Sequence, residues 1–232
     1  MMLTRQLSTP SPFGLSLSKP SAHHPSTSSG RTVYTARYVA GGIFNSVRRA
    51  ALLAVLLAAP GLHAAEVAGV KVDDSLRVGG SELLLNGAGI RSKLFFKVYV
   101  GALYVGEKAT TPAAIYDSPQ PRRMVMRLLR DLDAESLHAA LDEGLRNNHS
   151  PAELADMKAP AEQLAGIMKG IGKAREGDTI AIDFSAEGVA VSLNGETRGK
   201  VAGPGFAKAL LKVWLGEKPA DASLKKALLG GY

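Results

Sequence analysis

The sequence Gly-Ala-Gly-Ile-Arg-Ser-Lys-Leu-Phe-Phe-Lys-Val-Tyr-Val-Gly-Ala-Leu-Tyr-Val, residues 87–105, carries the clearest strand pattern of the chain. Strand side chains alternate between two faces. The even-numbered positions from 94 to 104 are all apolar or aromatic, whereas the odd-numbered positions are mixed and include Lys97 and Tyr99. The pattern predicts a central strand with one core face and a second face that lines a groove.

The glycines at the start of this stretch predict a turn. We expect residues 82–86 to form a strand, residues 87–89 to turn the chain, and Arg91 to lie where the long strand leaves the turn. Arg91 is the first candidate for a functional residue, because it places a cation beside an apolar sheet. The alternative is a surface arginine beside a turn, since arginine is mostly exposed in folded proteins.

Charge is distributed unevenly along the 232 residues. The formal net charge is +7, but residues 1–65 hold six Lys/Arg and no Asp/Glu. Residues 66–232 hold the other 22 Lys/Arg and all 21 Asp/Glu, so their net charge is +1. Nucleic-acid binding needs clustered positive charge on the folded domain, so we expect no nucleic-acid partner. The absence of cysteine excludes disulfides, cysteine-ligated metals and thiol catalysis.

A secretory leader is predicted at residues 44–65. Residues 47–49 are Val-Arg-Arg, residues 50–62 are rich in Ala, Leu and Val, and Ala64 and Ala65 offer small side chains for cleavage. The apolar run is shorter than the ~20 residues that span a membrane. We therefore expect cleavage after Ala64 or Ala65, export to the periplasm, and no stable membrane anchor after cleavage.

Residues 1–43 precede this leader and are rich in Ser and Pro from Ser8 to Ser29. Such composition does not build a core, so we expect disorder. A signal peptide belongs at the start of a chain. We therefore interpret residues 1–43 as a possible N-terminal extension that arises from a gene start assigned too early.

The remaining chain predicts one domain over residues 66–232. Apolar alternation and turn residues predict strands at 67–72, 82–86, 94–105, 122–129, 179–184, 188–193 and 196–201. Cap and proline signals predict helices that begin near Pro112, Asp133, Ser150, Pro204 and Ser223. Residues 73–80 are expected to form a turn region, and Pro160 to interrupt the helix that begins at Ser150. The order predicts an α+β fold with helices layered on a large antiparallel sheet.

Motifs of covalent catalysis, of phosphate binding and of metal binding do not occur in the sequence. Residues 66–232 contain two histidines, His138 and His149, on a polar helix face or beside it, so we expect no metal and no cofactor. The chemistry favours binding of a small apolar or amphipathic ligand. Arg91 suits an anionic head group, because arginine can hold a carboxylate with two hydrogen bonds.

Two segments resemble a known family. Residues 87–91 and 96–104 are similar to the start of the chalcone isomerase fold, and residues 213–230, which begin Val-Trp-Leu-Gly-Glu-Lys-Pro, are similar to the closing helices of its bacterial chalcone isomerase-like branch. The resemblance covers nearly all of residues 66–232. It implies an open-faced β-sandwich, in which a layer of helices covers a large antiparallel sheet.

The resemblance implies one conserved catalytic position. Arg91 matches the arginine by which plant chalcone isomerases assist ring closure, and it is the catalytic residue if the protein is an enzyme. The other catalytic positions of that family carry Thr, Tyr, Asn and a Thr-Met pair. They correspond here to Tyr99, Leu137, Gly144, Val213 and Trp214. Loss of these hydroxyls argues against flavonoid chemistry, because general acid–base assistance contributes about 10²–10⁴-fold.

The non-catalytic fatty-acid-binding relatives of the family hold the ligand carboxylate with an arginine and a tyrosine. Tyr99 and Tyr104 are both available beside Arg91, and strand parity favours Tyr99. We therefore expect ligand contacts from Arg91, Tyr99, Tyr104, Val213 and Trp214. The first hypothesis is a periplasmic protein that binds a fatty acid or a similar amphipathic anion. The alternatives are an isomerase or intramolecular lyase of unknown substrate, and a structural or interaction role.

Overall fold

The computed structural model describes residues 65–231. The predictions for residues 1–43 and for the leader before Ala65 lie outside the described residues. In chain order the strands are β1 (Ala65–Val67), β2 (Val70–Val72), β3 (Ser75–Val78), β4 (Ser81–Lys93), β5 (Phe96–Val105), β6 (Arg122–Leu128), β7 (Leu132–Asp133), β8 (Lys173–Ala174), β9 (Thr179–Ser185), β10 (Gly188–Leu193) and β11 (Glu196–Ala202). The helices are α1 (Pro112–Asp117), α2 (Ala134–Asn148), α3 (Pro151–Asp156), α4 (Lys158–Ile171), α5 (Pro204–Leu215) and α6 (Ala222–Leu228).

A seven-stranded antiparallel sheet forms the centre of the fold, in the order β11-β10-β9-β6-β5-β4-β3. Helices α2, α4, α5 and α6 cover one face, and their apolar side chains form the main core with the sheet. Helix α5 contributes most of its length because it is apolar nearly all round. The α+β prediction of a large antiparallel sheet covered by helices is confirmed.

The opposite face of the sheet carries a smaller core beneath the β1–β2 hairpin. There Val72 packs with Leu83 and with the even-numbered residues of β5 from Val100 to Tyr104. Both faces of β5 are therefore buried from Val98 onward. The apolar pattern predicted the main core on the even-numbered face of β5, but the larger core lies on the odd-numbered face, where the helices pack.

The predicted turn at residues 87–89 is wrong, because β4 runs unbroken from Ser81 to Lys93. The hairpin turn lies at Leu94-Phe95 instead. The glycines serve a different purpose: a side chain at Gly87 would overlap the backbone carbonyl of Ala227, and a Cβ at Gly89 would lie 2.6 Å from that residue's Cβ. They let helix α6 lie directly on the sheet, a known role of glycine in strands.

Several local predictions are confirmed. Asp133 caps α2, Ser150 and Glu153 form a capping box at α3, and β9, β10 and β11 form the predicted meander. Two helix boundaries differ from prediction. Pro160 lies inside the first turn of α4, where proline is tolerated, and α6 is capped by the side chain of Asp221.

The N-terminal part of the fold also differs from prediction. The strand predicted at residues 67–72 is the β1–β2 hairpin, because Ala68-Gly69 turn the chain. The region predicted as a turn at 73–80 contains β3, which pairs with β4 at the edge of the sheet. Short polar stretches of this kind carry little periodic signal, and pairing to a long neighbour determines their structure.

Candidate functional site

A cavity of about 430 Å³ lies between the sheet and helices α2, α4 and α5. Its volume falls within the range of about 300–1,000 Å³ that is usual for small-molecule sites. Most of its wall is apolar. The buried apolar wall consists of Val98, Met126, Met168, Ile180, Ile182 and Val213.

Arg91 supplies the buried cation of this cavity. It pairs with Tyr99 across β4 and β5, so both side chains lie on the same face of the sheet. The residue is only 9% exposed, and its Nε has no hydrogen-bond partner. Within residues 65–231 its guanidinium forms no ion pair, although its Cζ lies 5.6 Å from the centroid of the Tyr99 ring. A buried guanidinium nitrogen without a hydrogen-bond partner is costly unless something binds it.

Tyr99 supplies a second polar group. The indole Nε1 of Trp214 donates a 2.8 Å hydrogen bond to the Tyr99 hydroxyl oxygen. Burial raises the pKa of Tyr99 to about 12, although the positive charge of Arg91 and the hydrogen bond from Trp214 act in the opposite direction. The hydroxyl therefore stays protonated at physiological pH. Because its oxygen already accepts from Trp214, its hydrogen is available to donate to a ligand.

A β-bulge shapes this end of the site. The register of β4 and β5 shifts after Arg91, so that Ser92 pairs with Lys97 and Val98 is left between the paired positions. Val98 and Tyr99 both line the cavity as a result. Asp221 supports the bulge by accepting a 2.9 Å hydrogen bond from the backbone N–H of Ser92. Bulges commonly redirect side chains beside functional sites.

The opening of the cavity is identified by the lining residues that are exposed to solvent. They come from the β4–β5 hairpin, from the loop after β6 and from the start of α2. These residues are Lys93, Leu94, Phe96, Arg130, Asp131, Asp133, Ser136 and Ala139. The site therefore combines a charged opening with an apolar interior. Arg91 lies on β4, the strand that leads from the hairpin at the opening into the sheet.

Four of the five predicted ligand contacts lie together. Arg91, Tyr99, Val213 and Trp214 all line the cavity. Tyr104 lies on the other face of the sheet, where its hydroxyl donates a 2.9 Å hydrogen bond to the backbone carbonyl of Asp73. This placement corrects the expectation that Tyr104 lies beside Arg91. Tyr104 is five residues from Tyr99 on β5, and residues an odd number apart on a strand point to opposite faces.

Other parts of the cavity were not predicted from the sequence. Met168 of α4, for example, contributes to the cavity wall. Leu94 and Phe96 lie at the opening rather than in a core face. A sequence pattern shows which residues are apolar, but the bulge and the helix placement that leave a space between them arise from long-range packing.

The fold is thus an antiparallel sheet with helices on one face and a cavity between the two layers. The sequence model of the chalcone isomerase-like family matches residues 64–230, so the chain belongs to that family. This finding confirms the family resemblance. No curated protein sequence matches the chain significantly.

A solved structure shows the same fold. The crystal structure of a fatty-acid-binding protein from Arabidopsis thaliana superimposes with a TM-score of 0.56 at 16% sequence identity. The match covers 69% of this chain and 92% of that one. Among the residues that the structure describes, no helix is long and apolar enough to cross a membrane.

Proposed function

We propose that this protein binds a fatty acid or a similar amphipathic anion without transforming it, and that it does so in the periplasm after export. One observation carries the proposal: Arg91 is only 9% exposed beside the apolar interior of the cavity, and its buried Nε has no hydrogen-bond partner. A carboxylate would supply the missing charge and the missing hydrogen-bond acceptor. Arginine and carboxylate form short, charge-assisted hydrogen bonds, often two at once.

Tyr99 gives the proposed head-group site its second donor. The protonated hydroxyl of Tyr99 shares a face with Arg91, and Trp214 fixes the position of its oxygen. The acyl chain would then lie against Met126, Met168 and the isoleucines of β9. The resulting arrangement separates a polar head-group site from an apolar chain site, as an amphipathic anion requires.

The buried interior of the cavity offers little for acid–base catalysis. Leu137 lines it with an apolar side chain at the position that corresponds to the family's catalytic tyrosine. Gly144 corresponds to the catalytic asparagine, and a Cβ there would lie 2.6 Å from a methyl group of Val213. These two substitutions remove hydroxyl and amide groups that could orient water or a substrate oxygen. They support binding over isomerisation.

Two comparisons support the same proposal. The chain belongs to the chalcone isomerase-like family, and the Arabidopsis protein that shares its fold is named a fatty-acid-binding protein. The predicted signal peptide supports export. N-terminal sequencing of the secreted protein tests that part; a chain that still starts at Met1 would contradict it.

Native mass spectrometry of co-purified small molecules tests ligand binding. The full-length gene is expressed in a Gram-negative host, and the form that accumulates is purified without added lipid. We expect a bound acyl species in the wild-type protein, its loss in Arg91→Ala, and its retention in Arg77→Ala, which removes an exposed arginine of edge strand β3.

Two results would contradict the proposal. An acyl species that persists in Arg91→Ala would show that the buried cation does not hold the ligand. An empty wild-type cavity, together with loss of chalcone absorbance on addition of the protein, would favour the isomerase alternative.

A further inference from the structure

The tip of the β4–β5 hairpin exposes three consecutive large apolar side chains. Leu94 is 85% exposed, Phe95 is 97% exposed and Phe96 is 59% exposed. Scattered apolar residues on a surface need no explanation, but a cluster at a protruding turn indicates an interaction site. Only one other large apolar residue of the described chain, Leu84, is exposed, and it is far less so.

The backbone of the tip is also unusual. Lys93 pairs with Phe96, so the turn contains only Leu94 and Phe95. Leu94 adopts a φ of +57°, a region in which glycine or asparagine is far less strained than leucine. A bulky apolar residue thus occupies a position that the turn itself would fill better with glycine, and it contributes nothing to the core there.

Positive charge surrounds the tip. Lys93 and Lys97 flank the apolar residues, and residues 87–105 contain no Asp or Glu. The guanidinium of Arg130 stacks 5.0 Å from the centroid of the Phe96 ring. Acidic groups of other elements also lie near the tip: Glu143 of α2 is 4.0 Å from Lys93, and Asp131, which pairs with Lys173, lines the cavity opening with Asp133.

We infer that this tip docks on an anionic lipid bilayer, with Leu94 and Phe95 inserted among the acyl chains and Lys93, Lys97 and Arg130 among the head groups. Apolar insertion and attraction to anionic lipid together drive peripheral binding. Each basic residue near such a surface strengthens binding about fivefold. Short apolar tips can enter a bilayer without shape complementarity.

A second copy of the chain fits the tip less well. Each aromatic ring can bury about 150–250 Å², so two rings and one leucine supply less than the ~800 Å² per partner of a stable protein interface. Docking on a bilayer would also bring the cavity opening to the lipid surface, since Leu94 and Phe96 border it. That a fatty acid passes between the bilayer and the cavity at this position rests on the proposed function. Docking itself does not depend on it.

The cysteine-free sequence allows a direct test. Phe95→Cys in the full chain is labelled with a polarity-sensitive fluorophore, and Lys108→Cys, an exposed position beyond the other end of β5, is the matched control. With vesicles of phosphatidylcholine and phosphatidylglycerol in equal parts, we expect a blue shift and quenching by brominated lipid at position 95 only. Vesicles of phosphatidylcholine alone should give a much weaker signal.

Three results would overturn the inference. The first is no change at position 95 with anionic vesicles. The second is an equal change at positions 95 and 108, which would indicate adsorption through another part of the chain. The third is a shift without vesicles that grows with protein concentration, which would identify a second copy as the partner.

The charge requirement has its own variants. Lys97→Glu should weaken vesicle binding at least fivefold, whereas Lys108→Glu should leave it unchanged. Equal effects would overturn the role of the basic residues.

Lys97 and Phe95 do not line the cavity, so Lys97→Glu and Phe95→Ser should retain fatty-acid binding in solution. If the protein docks on vesicles but binds no fatty acid, the proposed function alone is refuted. If it binds fatty acid but does not dock on vesicles, the docking inference alone is refuted.

Discussion

The indole Nε1 of Trp214 donates a buried 2.8 Å hydrogen bond to the hydroxyl oxygen of Tyr99, and this bond joins helix α5 to strand β5 at the cavity wall. It satisfies the indole N–H and fixes the direction in which the hydroxyl can donate. The same hydrogen bond therefore stabilises the fold and orients a group of the proposed ligand site. Removing either partner should lower both the free energy of unfolding and the affinity for the ligand.

A double-mutant cycle tests this coupling. Trp214→Phe and Tyr99→Phe should each destabilise the protein by about 1–3 kcal/mol, because each leaves a buried polar group unsatisfied. The double variant removes both polar groups and should cost less than the sum, with a coupling energy of about 0.5–3 kcal/mol. Urea unfolding measures the three differences. Strictly additive costs would mean that the hydrogen bond contributes nothing to stability.

Arg91→Met should stabilise the ligand-free protein while it removes ligand binding. The substitution replaces a buried guanidinium whose Nε has no hydrogen-bond partner by an apolar side chain of similar length, which should raise the free energy of unfolding by about 1–3 kcal/mol. Added fatty acid should raise the Tm of the wild-type protein but not of the variant. Thermal and urea unfolding of delipidated protein measure both effects.

Arg122→Met is the matched control for that experiment. Arg122 is also buried and its Nε likewise has no partner, but its Nη1 donates hydrogen bonds to the backbone carbonyls of Ile115, Tyr116 and Ser118 at the end of α1. Its replacement should destabilise the fold by about 2 kcal/mol or more, because these carbonyls lose their donor. If both arginine variants were equally destabilised, Arg91 would be a structural residue.

Alkaline pH should destabilise the protein through Tyr99. Burial raises the pKa of Tyr99 from 10.0 to about 12, so the folded protein holds this proton more tightly than the unfolded chain. The resulting stabilisation is fully present below pH 10 and is lost as the pH rises to 12. It amounts to about 3 kcal/mol for this shift.

Tyr99→Phe should therefore lose less stability than the wild-type protein between pH 10 and pH 12. Urea midpoints measured across this range give the difference. Tyr104 and Tyr116 retain their own alkaline dependence in both proteins, because burial also raises the pKa of each to about 12. Identical alkaline losses in variant and wild type would contradict the assignment of this effect to Tyr99.

Local signals made much of the fold predictable from sequence. The cap at Asp133 and the capping box at Ser150 each act within one helical turn, and the Asn194-Gly195 turn determines the pairing of its own two strands. Strand parity also favoured Tyr99 over Tyr104 as the partner of Arg91, and the two tyrosines do lie on opposite faces, although both were expected to contact the ligand. These features depend on contacts between neighbours in the sequence.

The features of the fold and site that the sequence did not predict depend on contacts between residues far apart in the chain. Nothing near Gly87 in the sequence shows that helix α6, about 140 residues later, lies on it. Likewise, Arg91 looks like a surface residue until the helices cover the sheet, and the β-bulge beside it has no pattern of its own. The cavity is the space that remains between three helices and the sheet. Its position depends on long-range packing, which sequence periodicity does not indicate.

The glycines of β4 provide the last prediction, because they make the close approach of α6 testable. Gly87→Ala should destabilise by well over 2 kcal/mol, since its new methyl group would meet the carbonyl of Ala227, which cannot be removed. The nearest contact of Gly89→Ala is the methyl group of that alanine, and the next is Leu224 Cδ1 at 3.4 Å, so adding Ala227→Gly should recover part of the loss. Gly166→Ala, on an open face of α4, should instead stabilise by about 0.5–1 kcal/mol. Urea unfolding compares them, and equal small effects at all three glycines would show that α6 does not lie on β4.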